Sequence, residues 1–145
     1  QLDEIKNILR NSKQRIKSFK LPVVPKNFYI ELAEANDAIK EIVKELDKKP
    51  ISIKILNIRV DTARDLVLKL YSTTNETVKT ASMAETAIIY GNRYRPINKE
   101  LALGLSKAEN MFFKGNFKLS LESAIEALNI IDPGVYKKIL EGYSK

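Results

Sequence analysis

The sequence predicts an all-α fold, an elongated antiparallel helical bundle with one long helix and short C-terminal helices. Apolar residues recur every three or four positions along most of its 145 residues, and no segment alternates with the period of a β-strand. Gly and Pro number five each, too few for a fold built from many short strands.

The first two predicted helices each carry one apolar seam, with spacings of three and four residues. Pro22 and Pro25 end the first helix because neither has an amide donor, and the short connection predicts an antiparallel pair. The second helix extends from about residue 28 to 49. The two seams are Leu2, Ile5, Leu9, Ser12, Ile16 and Phe19, then Leu32, Ala35, Ile39, Ile42 and Leu46.

A single long helix is predicted from Ile51 to Arg95, where the first glycine is Gly91 and proline is absent, and Pro50 is expected in its first turn. A helix of this length spans roughly 65 Å, which requires a rod. Its predicted seam is Ile51, Ile55, Ile58, Thr62, Leu66, Leu70, Thr73, Thr77, Ala81, Ala84 and Ile88.

Shorter helices follow Pro96. Gly115 is predicted to stop one of them in the left-handed conformation, and Asp132 is predicted to cap the last one, with Pro133 at its first position. The expected division is a rod over residues 1–95 and a short-helix subdomain over 96–145 packed on the rod end, or one continuous domain. The apolar faces are Leu101, Leu105, Ala108 and Phe112; Phe117, Leu121, Ala124, Ile125, Leu128 and Ile131; and Val135, Ile139 and Tyr143.

The composition argues against an enzyme. Cys and His are both absent, which removes thiolate chemistry, the commonest general base and the commonest metal ligands. Asp61 and Asp65 lie one turn apart beside Arg64, but without a complete catalytic set they predict exposed ion pairs. We therefore expect no cofactor, no metal and no small-molecule substrate.

The formal net charge of +7 would suit an acidic partner, nucleic acid or anionic lipid. Acidic residues are interspersed through most of the chain, which favours a solvated surface and argues against nucleic acid. No apolar run approaches the ~20 residues of a membrane span, and the chain begins within a helical pattern, so we expect a soluble fragment of a longer protein.

Residues 88–96, IIYGNRYRP, form the densest group of binding-type side chains. On a helix, Tyr90, Arg93 and Tyr94 share one side, whereas Gly91 and Arg95 lie on another with Ile88. Tyr and Arg are enriched in binding hot spots. Two interpretations remain open: a binding patch, or tyrosines packed under the C-terminal helices with arginines neutralising the helix end.

These residues resemble the septation ring formation regulator EzrA of Gram-positive bacteria. The resemblance rests on AETAIIYGNRYRP (84–96) and LSKAENMFFKGNFKLSLESAIEALNIIDPG (105–134), with Val24-Pro25 and KKPISI (48–53) before them. It implies a rod of spectrin-like helical repeats on the cytoplasmic side of the membrane at the division septum. The implied N-terminal membrane anchor is absent from this fragment.

The resemblance also implies a cell-division regulator that binds FtsZ and other division proteins and restrains FtsZ ring assembly. The family's Gln-Tyr-Ala-Asn-Arg-Tyr-Arg patch for septal localisation corresponds to Tyr90, Asn92, Arg93, Tyr94 and Arg95 as the protein-binding residues. Ile89 stands in place of its glutamine and Gly91 in place of its alanine.

The alternative is a structural spacer or dimerising coiled-coil segment without a binding site of its own. The seam from Leu2 to Phe19 favours it, because an apolar seam left without partners would promote self-association.

Overall fold

The computed structural model describes residues 1–144 and the side chains of residues 1–141. The predicted all-α fold is confirmed, since these residues form six α-helices and a short 3-10 turn and include no strand. The side chain of Tyr143 and all of Lys145 lie outside the described residues. The helices are α1 (Leu2–Ser18), α2 (Lys26–Leu46), α3 (Ile53–Asn92), α4 (Lys99–Phe113), α5 (Phe117–Leu128) and α6 (Val135–Ser144), with the 3-10 turn at Arg95–Ile97.

The chain divides into two compact units, and α3 contributes to both. Unit 1 comprises residues 1–20 and 25–75, and unit 2 comprises residues 21–24 and 76–145. The predicted division at residue 95 stays a prediction. The long helix is continuous over 40 residues, beginning at Ile53 and ending at Asn92, so Pro50 precedes its first turn. Ser52 starts it instead, because its Oγ accepts a hydrogen bond from the amide of Ile55 at 3.3 Å.

In unit 1 the two predicted seams form most of the core. The central residues of both seams are buried, but Phe19 and Leu46 are 40% and 42% exposed because each lies at the end of its helix. Glu45 is also buried, and its carboxylate pairs with Lys48 Nζ at 3.0 Å. The buried seam residues are Ile5, Leu9, Ser12 and Ile16 in α1, and Ala35, Ile39 and Ile42 in α2.

The seam predicted for the first part of the long helix is wrong in phase up to Thr62, whereas Leu70 is buried as predicted. Ile51, Ile55 and Ile58 are 43%, 40% and 53% exposed. Apolar residues occupy two sides of this segment, so helical periodicity alone does not choose between them. The face that is buried consists of Ala63, Val67, Leu70 and Thr74.

Unit 2 is built around the hairpin of α4 and α5. Gly115 has φ +85°, as predicted for the left-handed stop between them. The Ser120 hydroxyl donates to the carbonyl of Ala108 at 2.7 Å, and both residues are fully buried. Asp132 accepts from the Gly134 amide at 3.2 Å, but α6 starts at Val135, so Pro133 lies in the preceding turn and not at the first helical position. The core comprises Met83, Ala87, Ile88, Leu101, Leu105, Ala108, Ala124, Ala127, Leu128, Val135 and Ile139.

Because α4 and α5 approach each other closely, we predict that position 104 does not tolerate a side chain larger than that of glycine. A Cβ there would lie 2.6 Å from the Ala127 Cβ, which cannot move without its backbone. Gly104→Ala should lower the free energy of unfolding by about 1–3 kcal/mol despite the better helix propensity of alanine. Gly104→Ala combined with Ala127→Gly should recover most of the loss in urea unfolding. A Gly104→Ala protein as stable as the parent would contradict this packing.

Substitution of valine for each of two adjacent threonines in unit 1 should change the free energy of unfolding in opposite directions. Thr74 is 1% exposed and its hydroxyl has no hydrogen-bond partner, whereas the Thr73 hydroxyl donates to Glu31 Oε1 at 3.1 Å. Thr74→Val should raise the free energy of unfolding by about 1 kcal/mol, and Thr73→Val should lower it by about 1–3 kcal/mol, since it leaves Glu31 without this donor. Urea unfolding of both variants checks the prediction, which fails if they shift stability in the same direction.

Candidate functional site: the tyrosine–arginine cluster

The last turn of α3 is fixed by a glycine. Gly91 is buried, and a Cβ at this position would lie 2.6 Å from Leu105 Cδ1 and 3.0 Å from Leu128 Cδ2. The helix backbone therefore approaches the ends of these two leucine side chains so closely that a larger residue would have to displace them. Tyr94, beyond the end of α3, donates its amide to the Gly91 carbonyl at 3.0 Å. This arrangement places Tyr94 beside the last turn of the helix.

Three of the predicted residues come together here, and we call Tyr90, Arg93 and Tyr94 the tyrosine–arginine cluster. The two rings are half-buried, pack against the core of unit 2, and lie 5.8 Å apart between centroids with a tilt of 52°. The Arg93 guanidinium carbon lies 5.5 Å from the Tyr90 centroid and 6.0 Å from that of Tyr94. Both distances suit cation–π attraction, which holds an otherwise exposed arginine in place.

The other two predicted residues lie apart from this cluster. Arg95 Nη2 pairs with Glu109 Oε1 on α4, and its Nε is buried without a hydrogen-bond partner. Arg95 lies in the 3-10 turn beyond the end of α3 and joins that turn to α4. Asn92 is exposed, and its side chain makes no hydrogen bond within residues 1–141.

Sequence reasoning missed the two groups that border the cluster, one in the turn before α6 and one within α6. The Tyr90 hydroxyl donates to Asp132 Oδ2 at 3.5 Å, and Lys138 Nζ donates to the same oxygen at 2.8 Å. The Asp-Pro-Gly signal identified Asp132 as a capping residue, but no local pattern connects it with Tyr90, 42 positions away. Glu109, the partner of Arg95, was missed for the same reason.

The ion pair between Asp132 and Lys138 determines the electrostatics next to Tyr90. The hydrogen bond from Lys138 lowers the pKa of Asp132 against the opposing effect of burial, and the same bond raises the pKa of Lys138. The adjoining Tyr94 hydroxyl, more than burial, raises the pKa of the Tyr90 hydroxyl. Near pH 7 the site therefore holds a neutral tyrosine, an ionised Asp–Lys pair and the arginine cation.

Three further features of the structure bear on metal binding, on the predicted ion pair of Asp61 and Arg64, and on membrane crossing. No group of three Asp or Glu side chains among residues 1–141 is placed to hold a metal ion. Arg64 and Asp61 form the predicted exposed pair, with 3.1 Å between Nη1 and Oδ1. None of the helices described is both long enough and apolar enough to cross a membrane.

The Asp132–Lys138 pair predicts a pH-dependent contribution to stability. Because the folded-state pKa of Asp132 is depressed, the contribution should be present above the ordinary Asp value near ~3.9 and lost as pH falls through the folded pKa. Lys138→Met should lower the free energy of unfolding at pH 6, and this deficit should shrink as the solution is acidified through that range. Urea unfolding of parent and variant between neutral and acid pH measures it. A deficit that does not change with pH would mean that the ion pair is not its cause.

Comparison with known proteins gives a consistent match. The family model for the septation ring formation regulator EzrA matches residues 1–143. Curated proteins of that name include one from Geobacillus sp. (strain WCH70), 31% identical over 139 residues, covering 96% of this chain and 24% of the relative. Those from Listeria innocua serovar 6a and Staphylococcus epidermidis are 32% and 30% identical, covering 86% and 88% of this chain.

The chain thus spans about a quarter of the length of the curated relatives that it matches. No significant match was found among solved structures. The match over nearly all of the sequence shows that the chain belongs to the EzrA family of septation ring formation regulators.

Proposed function

We propose that the tyrosine–arginine cluster, together with Asn92, is a protein-binding site through which the full-length protein contacts FtsZ, is placed at the division septum and restrains ring assembly. Membership of the septation regulator family supports the process. The residues at positions 90 and 92–95 support the site, because they match the patch that the family resemblance implies. The function proposed is non-catalytic.

The observation that carries the proposal is that Arg93 is held by aromatic contacts but has no carboxylate partner among residues 1–141. Its guanidinium rests against two tyrosine rings, yet the residue is exposed, and no carboxylate of residues 1–141 lies within 4 Å of its nitrogen atoms. An arginine held in place by stacking loses less conformational freedom on binding, and its fork of donors suits a carboxylate. Asn92 adds an exposed amide beside it.

Within this proposal the five predicted residues have different parts. Arg93 and Asn92 are the proposed contact residues, whereas Tyr90 and Tyr94 contribute part of their ring surface and position the arginine. Arg95 is the least suited to contact, because its guanidinium pairs with Glu109. Ile89 is 61% exposed beside the cluster and would add an apolar contact where the family pattern has glutamine.

The alternative, a dimerising spacer, depended on an unpartnered seam in α1. Ile5, Leu9 and Ile16 are instead 1%, 6% and 7% exposed, buried within unit 1. This burial favours the binding function.

Removing the two contact residues should weaken partner binding without unfolding the protein. Asn92→Ala with Arg93→Ala should weaken binding of purified FtsZ by about 10- to 100-fold in a titration, a typical hot-spot loss. Arg93→Lys should show an intermediate loss, because lysine keeps the charge but not the planar stacking.

Lys118→Ala is the matched control, since it removes one exposed cation from α5, away from the cluster in sequence and with no ion pair among the described residues. Circular dichroism should show unchanged helicity for every variant. If the double variant, still folded, bound FtsZ as tightly as the parent and still localised to the septum, the site assignment would be wrong.

A further inference from the structure

The net positive charge of the chain is concentrated in one stretch. Residues 5–30 contain seven Lys or Arg and no Asp or Glu, which equals the formal net charge of +7 and leaves 18 basic residues against 18 acidic ones elsewhere. Outside this stretch acidic residues are interspersed as expected, but within it they are absent. The seven cations are Lys6, Arg10, Lys13, Arg15, Lys17, Lys20 and Lys26.

Four of these cations form a row along α1. Their spacings of four, three and four residues place them on one side of the helix, next to the buried seam that fixes α1 within unit 1. All four are exposed, and Arg15 lies well away from the row by helical position. Over 11 residues the row extends about 16 Å, or roughly 5.5 Å per cation. We call Lys6, Arg10, Lys13 and Lys17 the α1 basic row.

The α1 basic row forms no ion pair within the described residues. No carboxylate of residues 1–141 comes within 4 Å of the side-chain nitrogen atoms of these four residues. Arg10 Nη1 donates to the amide oxygen of Asn7 at 3.1 Å, so its nearest partner is neutral. The exposed neighbours Asn11 and Gln14 are also uncharged. The row therefore presents a line of positive charges, and its Lys and Arg side chains can also donate hydrogen bonds to a partner.

We propose that the α1 basic row binds an acidic α-helix of a partner protein that presents one carboxylate per turn. Such a helix advances ~5.4 Å per turn, which matches the spacing of the cations one to one. Alternating steps of four and three residues also follow the line along which a second helix packs nearly parallel to the first. The row lies in unit 1, so this proposal is independent of the tyrosine–arginine cluster in unit 2.

Two other anionic partners fit the row less well. Duplex nucleic acid carries one charge per ~1.7 Å of its axis, so four cations at this spacing would leave most phosphates unmatched. Helices that bind a bilayer surface combine their cations with exposed aromatic or aliphatic residues. The exposed residues of α1 between positions 6 and 18 are all charged, amide or hydroxyl side chains, with nothing apolar to insert.

The test uses the 145-residue chain and two labelled helical peptides of identical composition. One carries Glu at positions i, i+4, i+7 and i+11, and the other distributes the same Glu residues around the helix. Fluorescence anisotropy at low salt should show about tenfold tighter binding of the aligned peptide, and the advantage should shrink at high salt. Equal binding of the two peptides would overturn the proposal.

Neutralising the row tests which residues are responsible. Lys6→Gln, Arg10→Gln, Lys13→Gln and Lys17→Gln together should remove the preference for the aligned peptide, with helicity unchanged by circular dichroism. The matched control changes four exposed lysines elsewhere to glutamine, Lys54, Lys107, Lys114 and Lys118, and should keep the preference despite the same loss of charge. An equal loss in the control would contradict a specific row.

Charge reversal gives a test that does not depend on lost binding. With the four row residues changed to glutamate, the protein should bind a peptide in which lysine replaces each aligned glutamate, and the scrambled lysine peptide should bind about tenfold more weakly. Binding of duplex DNA or of phosphatidylserine vesicles by the parent more tightly than the aligned peptide would assign the row to another partner and overturn the proposal.

Discussion

The close packing of α3 against the α4–α5 hairpin is the constraint on which the candidate site depends. At Gly91 of α3 a Cβ would lie 2.6 Å from Leu105 Cδ1, so this helix meets α4 at a position that has no side chain. Leu105 and Leu128 fill the space beside Gly91 and are fully buried. Because packed interiors resist small changes in volume, this contact fixes the direction of the last turn of α3. The positions of Tyr90 and Arg93 follow from it.

The tyrosine–arginine cluster combines two tyrosine rings held in place by the core with an arginine that has no carboxylate partner among residues 1–141. The tyrosine rings are held by the core of unit 2 and border the Asp132–Lys138 pair, which satisfies its own charges. Lys138 thereby prevents Asp132 from being left as an unpaired carboxylate beside Tyr90. The arginine remains stacked on the rings but without a carboxylate partner among residues 1–141. This is the arrangement expected of a contact residue organised before its partner arrives.

The sequence predicted the helices well, and it predicted less well which sides of them meet. The central residues of the α1 and α2 seams were predicted correctly from their regular spacing, although α2 also exposes Tyr29, Ile30 and Val43. In α3, isoleucines on the exposed side obscured the buried face. The predicted separation of Arg95 from Tyr90 and Arg93 assumed that the helix continues to Arg95, whereas α3 ends at Asn92 and Arg95 lies in the 3-10 turn. The approach of Asp132 and Lys138 was not predictable, because the placement of α6 beside α3 depends on packing between distant segments.

The two proposed surfaces differ in the chemistry of recognition. The tyrosine–arginine cluster offers one arginine with aromatic support, whereas the α1 basic row offers repeated charge along a helix.

Site-specific photo-cross-linking to FtsZ tests most directly the central claim that the tyrosine–arginine cluster and Asn92 contact this partner. A photoreactive side chain at position 92 should cross-link to FtsZ, and the same group at position 118 should not. Equal cross-linking at both positions, or cross-linking at 118 alone, would contradict the account.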